Sequence, residues 1–328
     1  VKMNSLFGSK GYLYVLLRWV LICAVLVGAL AGCRPAVEVP QSTGAPNVPP
    51  LFELEPDQII SIGVISDDPA GSIAEFQPMA DYLASRLADQ GILRGRVIVE
   101  ADDQSVIDAM RSGEMDLFFE SPYIALNVYE EAAAIPLLRR WKGGVGEYKT
   151  FIIASNASNL TTLNDLTGHI VGFEDPFSTS GYLLPAGHLV EQGYAISEKA
   201  TAGSAVGSGE IGYVFLNDID NIIAQLLAGR VDAGVLSNLD YDELTQEVKD
   251  QLVILGETSY VPRHIVLASP TMSLELQDAV KTVLTTMEEN PDGQQVLVTF
   301  EETSQFDAFP LGPQATMQTL QLLFAPVR

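Results

Sequence analysis

Ser178, Thr179 and Ser180 stand in a row before Gly181, where the strand-like segment 169–173 gives way to helical spacing over 181–192. The first N–H groups of a helix have no intrahelical acceptor and carry a partial positive potential, so a helix start favours an anion. Three hydroxyls beside those amides add donors without adding charge. The chemistry on offer is the holding of an oxyanion by hydrogen bonds. Two more helix starts share this grammar. Ser121 fits an N-cap and Pro122 the first helical position, where a missing N–H costs nothing. Asn217 and Asp218 open a helix from Ile219. A serine at a helix start is more often a cap than a ligand, and only the run of three sets 178–180 apart.

Other groupings point to no reaction. The three histidines, His169, His188 and His264, show no His-x-x-x-His or Glu-paired arrangement, so no metal site is expected. The acidic pairs Asp67-Asp68, Asp102-Asp103 and Glu174-Asp175 lack calcium-loop spacing. There is no phosphate-cradling Walker run, no Gly-x-Ser-x-Gly elbow and no candidate nucleophilic cysteine. The expectation is a binding protein without catalytic residues and without a cofactor.

The elements that must position these residues alternate between strand and helix. Strands are expected at 59–65, 96–99, 116–119, 169–173 and 231–236. Phe76, Met79, Ala80, Leu83 and Leu87 recur at helical spacing, closed by Gly91, and a helix at 105–111 stops at Gly113. Further helices fit 219–228, capped by Gly229, and 274–289 and 314–323. Such alternation implies mainly parallel sheets covered on both faces. In open α/β sheets, helix starts gather beyond the carboxyl ends of strands, where ligands bind. Segments 148–154 and 264–268 lie where a chain would cross between two lobes. One larger α/β domain is the alternative.

Residues 1–32 read as a signal segment: Lys2, Lys10 and Arg18 flank an apolar core over 19–31, which ends Leu30-Ala31-Gly32-Cys33. That order matches the lipobox of bacterial lipoproteins, with Cys33 as the lipidated residue. The alternative is an uncleaved anchor over 12–31, just long enough to span a membrane. Both readings put the remainder outside the cytoplasm. Residues 33–57, rich in proline, read as a tether.

Composition closes other classes. A net charge of −24 offers no basic surface to release counterions from nucleic acid and disfavours anionic lipid. Removing 1–32 takes away three basic residues and no acid, giving −27. A protein this acidic must attract an anion through local donors. Both cysteines, Cys23 and Cys33, fall in the first tenth of the chain, so no disulfide framework is expected beyond them.

The run Asp175-Pro176-Phe177-Ser178-Thr179-Ser180-Gly181-Tyr182-Leu183-Leu184-Pro185 closely resembles the signature of the phosphate/phosphite/phosphonate-binding proteins of ABC importers. Supporting likeness runs through 115–123, 227–235 and Asp240-Tyr241, and the likeness spans 58–320. The resemblance implies a type II periplasmic-binding-protein fold: two α/β lobes, two hinge strands and a ligand cleft between them. Lobe 1 would be 58–150 plus 253–328, and lobe 2 would be 151–252. By this likeness Ser178, Thr179 and Ser180 would hold the phosphorus oxygens. Glu120, Ser121 and Tyr123 would approach from lobe 1, and Asp218, Asp220 and Asp240 from lobe 2. It also implies a membrane permease as partner and a monomeric binding protein.

Two departures stand out. The histidine-plus-acid often found before the third helix is here Asn217-Asp218-Ile219-Asp220, and Glu120 replaces a neutral or aromatic residue. A carboxylate facing a dianion is costly, so these acids favour a protonated oxyanion or an aminophosphonate, with a ligand without phosphorus as the alternative. A sensory protein feeding a membrane receptor, or an enzyme on the same fold, are the competing functions.

Overall fold

The computed structural model describes residues 54–328. The expected signal segment, Cys33 and nearly all of the tether lie outside them. The chain starts with β1 (Ile59–Ile65), α1 (Pro69–Arg86), β2 (Arg94–Glu100), α2 (Asp103–Ser112), β3 (Leu117–Glu120), α3 (Pro122–Ala132) and β4 (Ile135–Lys142). Each helix start has a local cause. Asp68 accepts from the Gly71 N–H ahead of Pro69, and Asp102 accepts from the Ser105 N–H at 2.8 Å. Gly113, at φ 79°, stops α2 in the left-handed conformation that a side chain resists. Gly91 closes the turn Ala88–Gln90 that follows α1, and not α1 itself, which ends at Arg86.

After a crossing through β5 (Glu147–Tyr148) come β6 (Thr150–Ser155), β7 (Ile170–Phe173), α4 (Leu184–Glu191), β8 (Ala195–Glu198) and β9 (Glu210–Phe215). Then follow α5 (Ile219–Leu227), β10 (Ala233–Ser237), α6 (Asn238–Glu243), α7 (Gln246–Lys249) and β11 (Leu252–Glu257). The chain returns through β12 (Val261–Pro262) to β13 (His264–Ala268), α8 (Leu274–Thr286), α9 (Pro291–Thr299), β14 (Thr303–Asp307) and α10 (Pro313–Phe324).

Two six-stranded sheets result among the described residues, ordered β14-β4-β13-β3-β1-β2 and β11-β6-β10-β7-β9-β8. Both are mixed, against the expectation of mainly parallel sheets. β1 pairs in parallel with β2 and β3, while β13 runs antiparallel to β3 and β4. In the second sheet β6 is antiparallel to both β10 and β11. The antiparallel pairs flank the two crossings, where the chain leaves or re-enters a sheet from the opposite end. The crossings themselves pair as a two-stranded ribbon, Val261 opposite Tyr148 and Pro262 opposite Glu147. So the expected hinges shift: most of 148–154 is β6, and 264–268 is the buried strand β13. β11 likewise belongs to the second sheet through β6, which moves the return crossing past Glu257 from the expected 253.

Each lobe has its own core. In the first, Phe119 meets Phe300 edge-on at 5.2 Å, and Phe300 meets Phe76 at 4.8 Å. In the second, Phe173, Tyr182, Tyr213 and Phe215 interlock at 5.0–5.6 Å. The fully buried rings Phe173 and Phe300 each stabilise by about 1.5–3 kcal/mol. The lobes also touch directly. A methyl group at Gly187 on α4 would meet the Leu323 carbonyl of α10 at 2.3 Å, so only glycine permits this approach.

Candidate functional site

β7 ends at Phe173, and the chain then turns over Glu174 and Asp175 into a wide turn, Thr179–Leu183, that feeds α4. The helical segment thus begins two residues before the expected Gly181, which places Thr179 and Ser180 in its first turn. Ser178 is the cap: its hydroxyl accepts from the Gly181 N–H at 2.9 Å and donates to Glu174 Oε2 at 2.6 Å. The N–H groups of Tyr182 and Leu183 turn back to the Ser178 carbonyl. Those of Thr179 and Ser180 have no acceptor among the described residues, as the head of a helix requires.

This head faces the first lobe. The Tyr123 N–H donates to Thr179 Oγ1 at 3.0 Å across the gap, and the Thr150 hydroxyl donates to the Ser180 carbonyl at 2.9 Å. Tyr148, from the crossing ribbon and only 2 % exposed, lies beside the Thr179 and Ser180 hydroxyls. Burial pushes its phenol up, and those two hydroxyls pull it back. Between them opens a cavity of about 360 Å³.

Five of the nine residues expected at the site line this cavity: Ser178, Thr179, Ser180, Ser121 and Asp240. The hydroxyl of Ser121 makes no capping bond within α3 and is instead engaged with the Glu120 carboxylate. Asp240 lines it while its Oδ2 accepts from the Ser237 hydroxyl at 2.6 Å. The other four residues do not line it. Tyr123 contributes its backbone N–H only, since its ring packs edge-on against Phe324 at 5.8 Å. Glu120 turns its carboxylate onto the Ser121 N–H at 2.6 Å. Burial pushes the Glu120 carboxyl up, against the pull of Ser121. Asp218 is spent as the cap of α5, accepting from the Asn221 N–H at 2.7 Å and from its side-chain amide at 2.9 Å. Asp220 is exposed on that helix.

The structure adds Tyr148, Glu174, Ser237 and Arg263, none of which the sequence marked. Burial pushes the Glu174 carboxyl up despite the Ser178 hydroxyl, and Asp175, Asp240 and Asp218 add to the rise. Arg263 carries the only positive charge among the lining residues. It also borders an outer compartment of about 540 Å³, shared with Asp240 and Lys142. No group of three or more His, Cys, Asp or Glu among the described residues is placed to hold a metal ion.

Residues 62–309 match the family described as the periplasmic phosphonate substrate-binding protein of ABC transporters. The chain belongs to this family. The phosphate-import protein PhnD of Mycolicibacterium smegmatis is 26% identical over 269 residues, 79% of each chain. XAC2383 from Xanthomonas citri, solved with chloride ion, is similar at 28% identity and TM-score 0.74, covering 83% of this chain and 99% of its own. A second structure of that protein holds ATP. PhnD1 from Prochlorococcus marinus, in complex with methylphosphonate, shares the fold at TM-score 0.56 and 15% identity, over 82% of this chain and 97% of its own. The two lobes are thus those of a type II periplasmic binding protein. Family members serve transport by binding substrate for an ABC permease.

Proposed function

We propose that this chain is an extracytoplasmic lipoprotein, anchored through Cys33, that binds a small phosphorus oxyanion for an ABC importer. A phosphonate, phosphite or phosphate would bridge the head of the Thr179 helix and Ser121 of the first lobe. The observation that carries this reading is that head: two free N–H groups and adjacent hydroxyls open onto a cavity of about 360 Å³ between the lobes. The ligand stabilises the closed state because it contacts donors from both lobes at once. The protein acts as a monomer and performs no chemistry on its ligand.

The relatives support the ligand class, one being a phosphate-import protein and another holding methylphosphonate. Calorimetry of the chain from residue 54 with methylphosphonate, phosphite, phosphate, ATP and sulfate tests it. Saturable binding of one or more of the first three, with none of sulfate, is the expected result. Silence with all three would reject it.

A further inference from the structure

The geometry points to Arg263 as the charge anchor of the cleft, gripping the ligand's oxyanion and coupling its arrival to the hinge. This rests on the phosphorus-oxyanion reading above. Arg139 is spent on Asp307, at 2.9 and 2.6 Å, and on Glu147 at 2.6 Å. Arg140 is spent on Glu301, Thr303 and the Phe300 carbonyl, all within 2.9 Å. Arg263 has no hydrogen-bonded or ionic partner for its guanidinium among the described residues, and its Nε is buried without an acceptor.

Acids line the same cavity, yet none forms an ion pair with Arg263 among the described residues. Glu174 Oε2 takes the Ser178 hydroxyl and Asp240 Oδ2 takes the hydroxyl and N–H of Ser237. Both carboxylates are thereby committed to caps in their own lobe. Arg263 is half-buried and its Nε is cut off from water without an acceptor, a cost that a bound anion offsets with charge-assisted bonds. Its planar fork suits two oxygens of one phosphorus centre.

The position of Arg263 supplies the coupling. It follows the ribbon strand β12 directly, and its own N–H bonds the Gly146 carbonyl at 2.8 Å on the other crossing. Its guanidinium stacks 4.8 Å over Tyr148, the residue paired with Val261 in that ribbon. Both crossing segments therefore meet at this one residue, through its backbone and its side chain. An oxyanion at the Thr179 head would draw the guanidinium inward and fix the ribbon in one geometry.

The test compares wild type with Arg263→Gln and Arg263→Lys by calorimetry, using methylphosphonate, phosphite and inorganic phosphate as probes. Arg263→Gln is expected to weaken binding by about 100-fold. Arg263→Lys, which keeps the charge and loses the fork, should fall between the two. The salt dependence of affinity should flatten in the Gln variant. At saturating ligand, small-angle scattering should show the wild type contract and the Gln variant contract less. Should Arg263→Gln fail to fold, as judged by circular dichroism, the Lys variant carries the comparison. Equal affinity and equal contraction in a folded variant would overturn the assignment. A wild type that binds none of the three probes would instead overturn the oxyanion reading beneath it.

Discussion

Replacing Ser178 by alanine removes two bonds at once, and each has a separate consequence. Losing the cap on Gly181 costs about 1 kcal/mol, as for other serine caps. Losing the 2.6 Å bond to Glu174 costs about another 1 kcal/mol, because that half-buried carboxyl has no second hydrogen-bond partner among the described residues. A domain of this size shifts its Tm by about 2–4 °C per kcal/mol, so the melt should fall by about 4–8 °C. Affinity should also fall, by about tenfold, since freeing Glu174 lets its carboxylate swing toward the bound anion. Differential scanning calorimetry and titration calorimetry on the same preparation read the two effects. An unchanged Tm together with unchanged affinity would refute the reasoning, for then Ser178 neither caps the helix nor holds the acid.

Three further outcomes follow from the same geometry. Glu174 sits above its ordinary value in the folded protein, so its contribution to stability is full below the usual carboxylate range and is lost as pH climbs through the raised value. Glu174→Gln should flatten that part of the stability–pH curve, measured by urea melts between pH 4 and 7, and an unaltered curve would count against the assignment. Gly187→Val pushes a side chain into the Leu323 carbonyl and should cost about 1–3 kcal/mol, seen as a lower urea midpoint; a wild-type midpoint would show that α4 and α10 have room to part. Cys33→Ser should yield unacylated protein in the soluble fraction or unprocessed precursor, whereas lipid-labelled, membrane-bound protein would defeat the anchoring proposal.

How much was legible depended on how local the cause was. β1 was readable in full because Ile59 to Ile65 is an unbroken β-rich run. The helix start at Pro122, with Ser121 in the N-cap position, and the stop at Gly113 were readable for the same reason. β4 was not: Ile135–Lys142 holds a proline and the pair Arg139-Arg140, whose partners Asp307, Glu301 and Thr303 come from later in the chain. Arg263 and Tyr148 escaped notice because only the pairing of two distant crossings brings them to the cleft. The aspartates of α5 misled in the opposite way. Their side chains looked available, and Asp218 was already spent on Asn221.

The central claim is that the helix head at Thr179 and Ser180 receives the ligand. Its most direct test is an amide-resolved nuclear magnetic resonance titration with methylphosphonate, following the N–H signals of those two residues. The account predicts large, saturable downfield shifts at both, as each amide gains a charged acceptor. Shifts confined to other parts of the protein, with these two amides unmoved at saturation, would contradict it.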